Sequence, residues 1–217
     1  PFGVSINNMR CIPLGAAARR LIPMSRTTAK TRNLVQLSLL IALEAVMAFT
    51  PLGFIMIPPI SITILHIPVI IGAILMGPTY GGILGGAFGV LAMIKATFFA
   101  ASPADILFSP FHSGAPVQSL VMCVVPRILL GVFAALLYRV LKKGIGDIPA
   151  LAASSILATL LHSLMVLGSM WLFFSAMPLR DVFITIASLN CIVEMLAAGV
   201  VGTAVCKPVM SYLRRGA

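Results

Sequence analysis

Long apolar runs alternate with short polar or proline-rich segments along most of this chain. After a polar stretch of about 33 residues, six such runs predict membrane-spanning helices at about 34–50, 62–76, 80–94, 120–140, 150–174 and 182–206. Polar residues within these runs are few, and most charged residues lie between them. We therefore predict an all-α integral membrane protein with six transmembrane helices, which forms a domain over 34–213.

One stretch, 50–89, departs from this regular pattern. Its first half is apolar but carries Pro51, Gly53, Pro58 and Pro59, too many helix breakers for a continuous helix. Its second half alternates apolar runs with glycines and contains a tight turn at 77–81. Irregular backbone at membrane depth is tolerated where protein buries it or where it lines a cavity. The stretch after the first span is therefore predicted to cover a small-molecule pocket.

Composition supports the membrane assignment, because 60% of the residues are hydrophobic and 9% are charged, whereas soluble domains carry about 25% charged residues. The net charge of +10 does not indicate nucleic-acid binding, since the basic residues do not form a groove-like patch with interleaved aromatics. They lie in the loops. Residues 1–33 hold six cations and no acid, and we predict a disordered cytoplasmic tail there.

The basic residues also predict the orientation of the chain. With the N-terminus inside, twelve of the fifteen Lys and Arg residues lie on the cytoplasmic side, in the tail, in the loop at 139–143 and after 206. The others are Lys95, Arg127 and Arg180. This positive-inside bias predicts that both termini are cytoplasmic. The broken stretch after span one and the long segment at 95–119 then lie outside, as expected for a protein that captures a ligand from outside.

Small residues repeat at helical spacing in three spans. Gly81, Gly85 and Gly89 recur at every fourth position of span three, and Ala198 and Gly202 do so in span six. They let helix backbones approach closely, and we expect packing within the protein. Span one carries small residues along one side, which either packs internally or docks another membrane subunit: Ser38, Ala42, Ala45 and Ala48.

Ionisable and polar residues inside spans are functional candidates, because each costs roughly 2.5–3.5 kcal/mol to insert. Arg127 has a planar fork suited to an anionic group, and the alternative is a structural pair with Glu194 or Glu44. Asn190 and Glu194 share a face of span six and suit hydroxyl or amide groups. His66 and His162 are further candidates. Phe54, Phe111 and Trp171 either line the pocket or serve as interfacial anchors.

No known catalytic or metal-binding motif stands in the sequence. It lacks a GxxxxGK[ST] phosphate loop, an HExxH pair and a GxSxG elbow, and the four cysteines show no CxxC spacing. We predict buried thiols, no metal, no cofactor and no enzymatic activity. A stand-alone secondary transporter would carry two inverted halves with matching broken helices, and no such symmetry relates spans 1–3 to spans 4–6.

Several motifs in order resemble those of the substrate-binding (S) components of energy-coupling factor (ECF) vitamin transporters, most of all the pantothenate-type branch. These motifs are the stretch at 50–86, FSPF at 108–111, VPRILLG at 125–131, TLLHSLMVLGSMWLFF at 159–174 and Asn190-x-x-x-Glu194. The resemblance covers about 33–213. It implies a six-helix bundle in the cell membrane of a prokaryote.

The resemblance also implies a function, that of a vitamin-binding subunit of an ABC-type importer. It implies partners, namely a transmembrane coupling subunit and two cytoplasmic ATPases, and a ligand held under the outer loops. Expected ligand contacts are Gly53, Phe54, Ile55, His66, Ser109, Phe111, Arg127, His162, Trp171, Asn190 and Glu194. The family's AxxxA docking motif corresponds here to Ser38, Ala42 and Ala45, with serine at one small position.

The ligand most consistent with these residues is pantothenate, which has a carboxylate for Arg127 and hydroxyl and amide groups for Asn190 and Glu194. Riboflavin, folate, cobalamin or another small nutrient remain alternatives, as does a stand-alone secondary transporter.

Overall fold

The computed structural model describes residues 26–50, 53–57, 60–100, 103–174, 184 and 189–215. The helices are α1 (Arg26–Phe49), α2 (His66–Met76), α3 (Pro78–Phe98), the single turn α4 (Pro103–Ile106), α5 (Pro116–Ile145), α6 (Asp147–Phe174) and α7 (Leu189–Arg215). Two short strands, β1 (Phe54–Ile57) and β2 (Ile60–Thr63), lie between α1 and α2.

Five of the described helices, α1, α3, α5, α6 and α7, are long and apolar enough to cross a membrane. The remaining member of the predicted six, α2, has 11 residues and is therefore about 16 Å long, roughly half the thickness of the hydrocarbon core. Nearly all of α2 is buried, from His66 to Ile74. The prediction of an all-α, six-helix membrane protein is confirmed, and the orientation of the termini stays a prediction.

The broken stretch after the first span is a β-hairpin. β1 and β2 pair antiparallel, with Phe54 opposite Thr63 and Ile57 opposite Ile60. Span two was predicted to start at 62, but its helix starts at His66. A short apolar run of β-branched residues suits a strand and a buried helix equally, so periodicity alone does not separate the two.

Other helix boundaries also differ from the prediction. α1 begins at Arg26, so the last eight residues of the predicted tail are helical, and residues 1–25 lie outside the described part. The turn predicted at 77–81 reduces to Gly77, whose φ of 99° suits glycine. The irregular segment predicted at 95–119 is shorter, because α3 continues to Phe98 and α5 begins at Pro116. The predicted start of span six at 182 lies outside the described residues.

Glycines bring α3 and α5 into backbone contact. A Cβ on Gly81 would lie 2.6 Å from the Gly131 carbonyl oxygen, and one on Gly89 would lie 2.9 Å from the Cys123 carbonyl oxygen. A Cβ on Gly85 would overlap the Arg127 carbonyl. The prediction that these glycines pack within the protein is confirmed, and the contact fixes the turn of α5 that carries Arg127.

A second seam of small residues joins α6 to α7. A Cβ on Gly202 would lie 2.8 Å from Ser155 Oγ, and Ala198 is fully buried. The described cysteines, Cys123, Cys191 and Cys206, are free and buried, as predicted.

Candidate functional site

Arg127 lies inside α5 with a buried side chain, and 7% of the residue is exposed. Its Nη1 donates a hydrogen bond of 2.8 Å to the Met122 carbonyl oxygen. Its guanidinium carbon lies 5.0 Å from the centroid of the Phe108 ring and 5.6 Å from that of Phe88, within the range of cation–π attraction. The cation is thus held by one carbonyl dipole and two aromatic rings.

No carboxylate neutralises Arg127 within the part of the chain that the structure describes. Glu194 instead accepts a hydrogen bond of 2.6 Å from the Thr63 backbone N–H. Both carboxylate oxygens of Glu44 are buried without a hydrogen-bond partner among the described residues. The alternative that Arg127 pairs with Glu194 or Glu44 is therefore wrong. A buried cation without a counter-ion is a suitable site for an anionic ligand.

Of the two candidate histidines, His162 lies close to this cation and His66 is buried at the start of α2. His162 Nδ1 lies 3.3 Å from the Pro126 carbonyl oxygen, and because a carbonyl accepts, this nitrogen carries the proton. The His162 ring centroid is 6.2 Å from that of Phe88, the same ring that lies 5.6 Å from the Arg127 guanidinium carbon. His66 begins α2, is buried, and leaves Nε2 without a partner among the described residues. The structure thus brings His162 close to Arg127, through the Pro126 carbonyl and the Phe88 ring.

Glu194 attaches the hairpin to α7. It is the sixth residue of α7 as the structure describes this helix, from Leu189. The Thr63 N–H that it accepts belongs to β2, so α7 holds one strand by a charge-assisted hydrogen bond. The side chains of Phe54, Ile55 and Asn190 lie outside what the structure describes.

The base of the hairpin packs tightly against α1. Gly53 is buried, and a Cβ there would lie 2.9 Å from the Met47 carbonyl carbon, so only glycine fits. Its carbonyl accepts a 3.0 Å hydrogen bond from the Ile64 N–H. Gly53 therefore allows the close backbone contact between α1 and the base of the hairpin. Its expected contact with the ligand stays a prediction.

The segment between α4 and α5 delivers Phe108 to the Arg127 guanidinium. Ser109, next to it, is fully buried and its hydroxyl lies 3.0 Å from Thr97 Oγ1 and 3.1 Å from His112 Nδ1. These contacts fix the segment. Phe111 and Trp171 are not part of the buried group, since 82% and 41% of their surfaces are exposed.

The small residues of α1 point in two directions. Ser38 and Ala42 are exposed and Ala45 is half-buried, whereas Ala48 is buried. Ser38 Oγ donates to the Val35 carbonyl within its own helix. The first three residues therefore form an unpaired smooth face on the outside of the described structure.

Sequence reasoning missed the residues that orient the candidates, namely Thr63, Phe88, Phe108, Met122 and Pro126. The available signal was Pro126, which stands inside an apolar run immediately before Arg127. Among the described residues, no group of three or more His, Cys, Asp or Glu side chains lies together in a way that suits a metal ion. The arrangement can bind an anion between aromatic and imidazole rings.

Comparisons with known proteins identify the family of this chain. The family model described as "ECF transporter, substrate-specific component" matches residues 32–210. The pantothenic acid transporter PanT of Lactococcus lactis subsp. cremoris (strain MG1363) is 33% identical over 156 residues, which cover 68% of this chain and 76% of that protein. Among solved structures, the S-component for biotin from an ECF-type ABC transporter is similar, with a TM-score of 0.48 and 22% identity over 82% of this chain and 93% of that one.

Proposed function

Because the chain belongs to the family of ECF transporter substrate-specific components, we propose that it is the pantothenate-binding subunit of its importer. It is a multi-pass protein of the cell membrane and a transporter component rather than an enzyme. In this proposal the ligand carboxylate binds Arg127. The 33% identity to a pantothenic acid transporter supports this choice of vitamin.

The observation that carries the proposal is the buried Arg127 cation, which has no carboxylate partner among the described residues. A guanidinium in apolar surroundings is stabilised most by a carboxylate that forms two parallel hydrogen bonds with it. Pantothenate offers one carboxylate, and its amide and two hydroxyls suit the remaining polar groups. His66 Nε2, three residues after the hairpin, is buried without a partner among the described residues and can bond one of these groups.

The hairpin is the cover of this site in our proposal. Glu194 holds its second strand at the Thr63 N–H, and Gly53 fixes its base against α1. Asn190, one helical turn before Glu194, is assigned to the polar part of the ligand together with Phe54 and Ile55 of the hairpin. Ser109 acts by fixing the segment that carries Phe108.

The proposed partners are a transmembrane coupling subunit and two cytoplasmic ATPases. The exposed face of Ser38, Ala42 and Ala45 is the proposed contact with the coupling subunit, since small side chains let another helix backbone approach closely. Replacing Ala42 with leucine should prevent co-purification of the coupling subunit and leave vitamin binding unchanged.

A ligand panel on the purified full chain tests the choice of vitamin. Pantothenate, riboflavin, folate and cobalamin are added separately and thermal unfolding is followed. A ligand at one hundred times its dissociation constant stabilises the folded state by roughly 2.7 kcal/mol, and we expect this from pantothenate alone. Stabilisation by one of the other vitamins and not by pantothenate would contradict the proposal.

Substituting Arg127 tests the assigned contact. A hydrogen bond to a charged group contributes about 1.5–3 kcal/mol, so Arg127→Ala should weaken pantothenate binding about 10- to 100-fold. Arg127→Ala should weaken the binding of the alcohol analogue, in which CH2OH replaces the carboxylate, much less. If Arg127→Ala binds pantothenate as tightly as the parent, the assigned role of Arg127 is wrong.

A further inference from the structure

Pro126 interrupts the backbone hydrogen bonding of α5 one residue before Arg127. Because proline has no N–H, the Met122 carbonyl four residues earlier loses the donor that an α-helix would supply. The structure gives this carbonyl another donor, since Arg127 Nη1 lies 2.8 Å from it. The arginine side chain therefore folds back along its own helix and replaces the missing backbone bond.

This bond determines which edge of the guanidinium remains free. Nη1 is occupied by the Met122 carbonyl, whereas Nε is buried without a hydrogen-bond partner among the described residues. No bond from Nη2 to a described residue is present either. The free edge therefore carries the Nε and Nη2 donors, a side-on pair that matches the two oxygens of a carboxylate.

Neighbouring elements hold the same turn of α5 from two further sides. The Pro126 carbonyl accepts the hydrogen bond from His162 Nδ1 of α6 at 3.3 Å. On the side of α3, Gly85 lies against the Arg127 backbone, and a Cβ at Gly85 would lie 2.6 Å from the Arg127 carbonyl carbon. The backbone at 126–127 is thus fixed, and the Met122 carbonyl is the hydrogen-bond acceptor that directs the Arg127 side chain, between the Phe88 and Phe108 rings.

We propose that Pro126 is a positioning residue for carboxylate recognition, because it frees the Met122 carbonyl for Arg127 Nη1 and so presents the Nε–Nη2 edge to the ligand. Pro126 itself needs no ligand contact for this role. The inference rests on the proposed function in that it takes the carboxylate of pantothenate as the group bound at Arg127.

Pro126→Ala restores the backbone N–H and lets it compete for the Met122 carbonyl. We expect this variant to lose about tenfold in affinity for pantothenate, because the guanidinium is no longer pre-oriented. Its affinity for the alcohol analogue should change less than twofold. Pro126→Ser also restores the N–H, so it replaces Pro126→Ala in this test if the alanine variant does not fold. Pro208→Ala is the matched control, since Pro208 also lies inside a helix, α7, and it should change neither affinity.

A purely structural role for Pro126 would weaken both ligands to the same extent. That result, or unchanged pantothenate affinity in the Pro126 variants, would overturn the proposal. Selective loss of pantothenate affinity supports it.

A second measurement uses no ligand. When residue 126 is proline, Arg127→Met leaves the Met122 carbonyl without a hydrogen-bond donor. When residue 126 is alanine, the backbone N–H of that alanine supplies one. The fall in Tm caused by Arg127→Met should therefore be about halved in the Pro126→Ala background, which a double-mutant cycle measures. Equal falls in the two backgrounds would overturn the positioning role. If the parent fails to bind pantothenate, the proposed function is wrong, and this cycle alone decides whether Pro126 positions Arg127.

Discussion

Two adjacent glycines of α3 provide a sharp test of the helix contact that fixes the candidate site. Gly85→Ala places a methyl group against α5, where its Cβ would overlap the Arg127 carbonyl and lie 2.6 Å from the Arg127 carbonyl carbon and 2.9 Å from Ile128 Cα. Gly86→Ala places the same group 3.7 Å from the Ile128 side chain. The methyl group added at 85 would contact backbone atoms of α5, whereas the one added at 86 would contact a flexible side chain.

The magnitude follows from these distances. Ordinary van der Waals contact begins at 3.4 Å, and the added Cβ would lie 2.6 Å from the Arg127 carbonyl carbon. Gly85→Ala therefore requires the two atoms to move apart by at least the difference of 0.8 Å. Overpacking of this kind costs about 1–3 kcal/mol. Both variants gain the same helix propensity, about 1 kcal/mol. The difference between them therefore isolates the clash, and Gly85→Ala should be less stable than Gly86→Ala by about 1–3 kcal/mol.

The assay is thermal unfolding of the two purified variants and the parent in the same detergent, followed by pantothenate titration. Gly85→Ala should also bind pantothenate more weakly, because the shift moves the Arg127 backbone, while Gly86→Ala should bind as the parent does. Equal stability of the two alanine variants would refute the α3–α5 packing described above.

Three further predictions address single side chains. Glu194→Met removes the acceptor of the Thr63 N–H and should weaken pantothenate binding at least tenfold in titration calorimetry. Glu194→Gln keeps an acceptor oxygen and should weaken binding about threefold. Similar losses of affinity in both variants would contradict the hydrogen-bond role. Ser109→Ala removes two hydroxyl contacts and should lower the free energy of unfolding by about 1–2 kcal/mol in thermal melts, and an unchanged melt would count against the network. Glu44→Leu replaces a buried carboxyl that has no partner among the described residues and should stabilise the ligand-free chain by about 1–3 kcal/mol; destabilisation would show that Glu44 has a partner in the folded protein.

Much of the fold could be predicted from hydrophobic patterning, because lipid requires long apolar helices with internally satisfied backbones. The glycines at 81, 85 and 89 also indicated a packing face. Their partner helix could not be predicted, because spacing within one helix contains no information about which neighbour it contacts. Ile62 and Thr63, the last two residues of the strand Ile60–Thr63, were predicted to be helical for a related reason, since a short stretch rich in β-branched residues fits both structures.

The candidate site was only partly predictable. Arg127, His66 and His162 could be selected because charged and polar groups are costly in membranes. Which groups surround Arg127 depends on long-range contacts, and the alternative of a pair with Glu194 or Glu44 was wrong. Glu194 instead accepts a hydrogen bond from the Thr63 backbone N–H of the hairpin, a partner distant in sequence that the spacing of residues does not indicate.

The shortness of α2 has a consequence for how the length of this region can vary. One residue added within α2 would shift the preceding hairpin by about 1.5 Å along the helix axis and rotate the hairpin about that axis by about 100°. The Thr63 N–H would then move away from Glu194. Insertions and deletions between His66 and Met76 should therefore be far more damaging than equal changes near Gly144 or Gly146, which have open space around them.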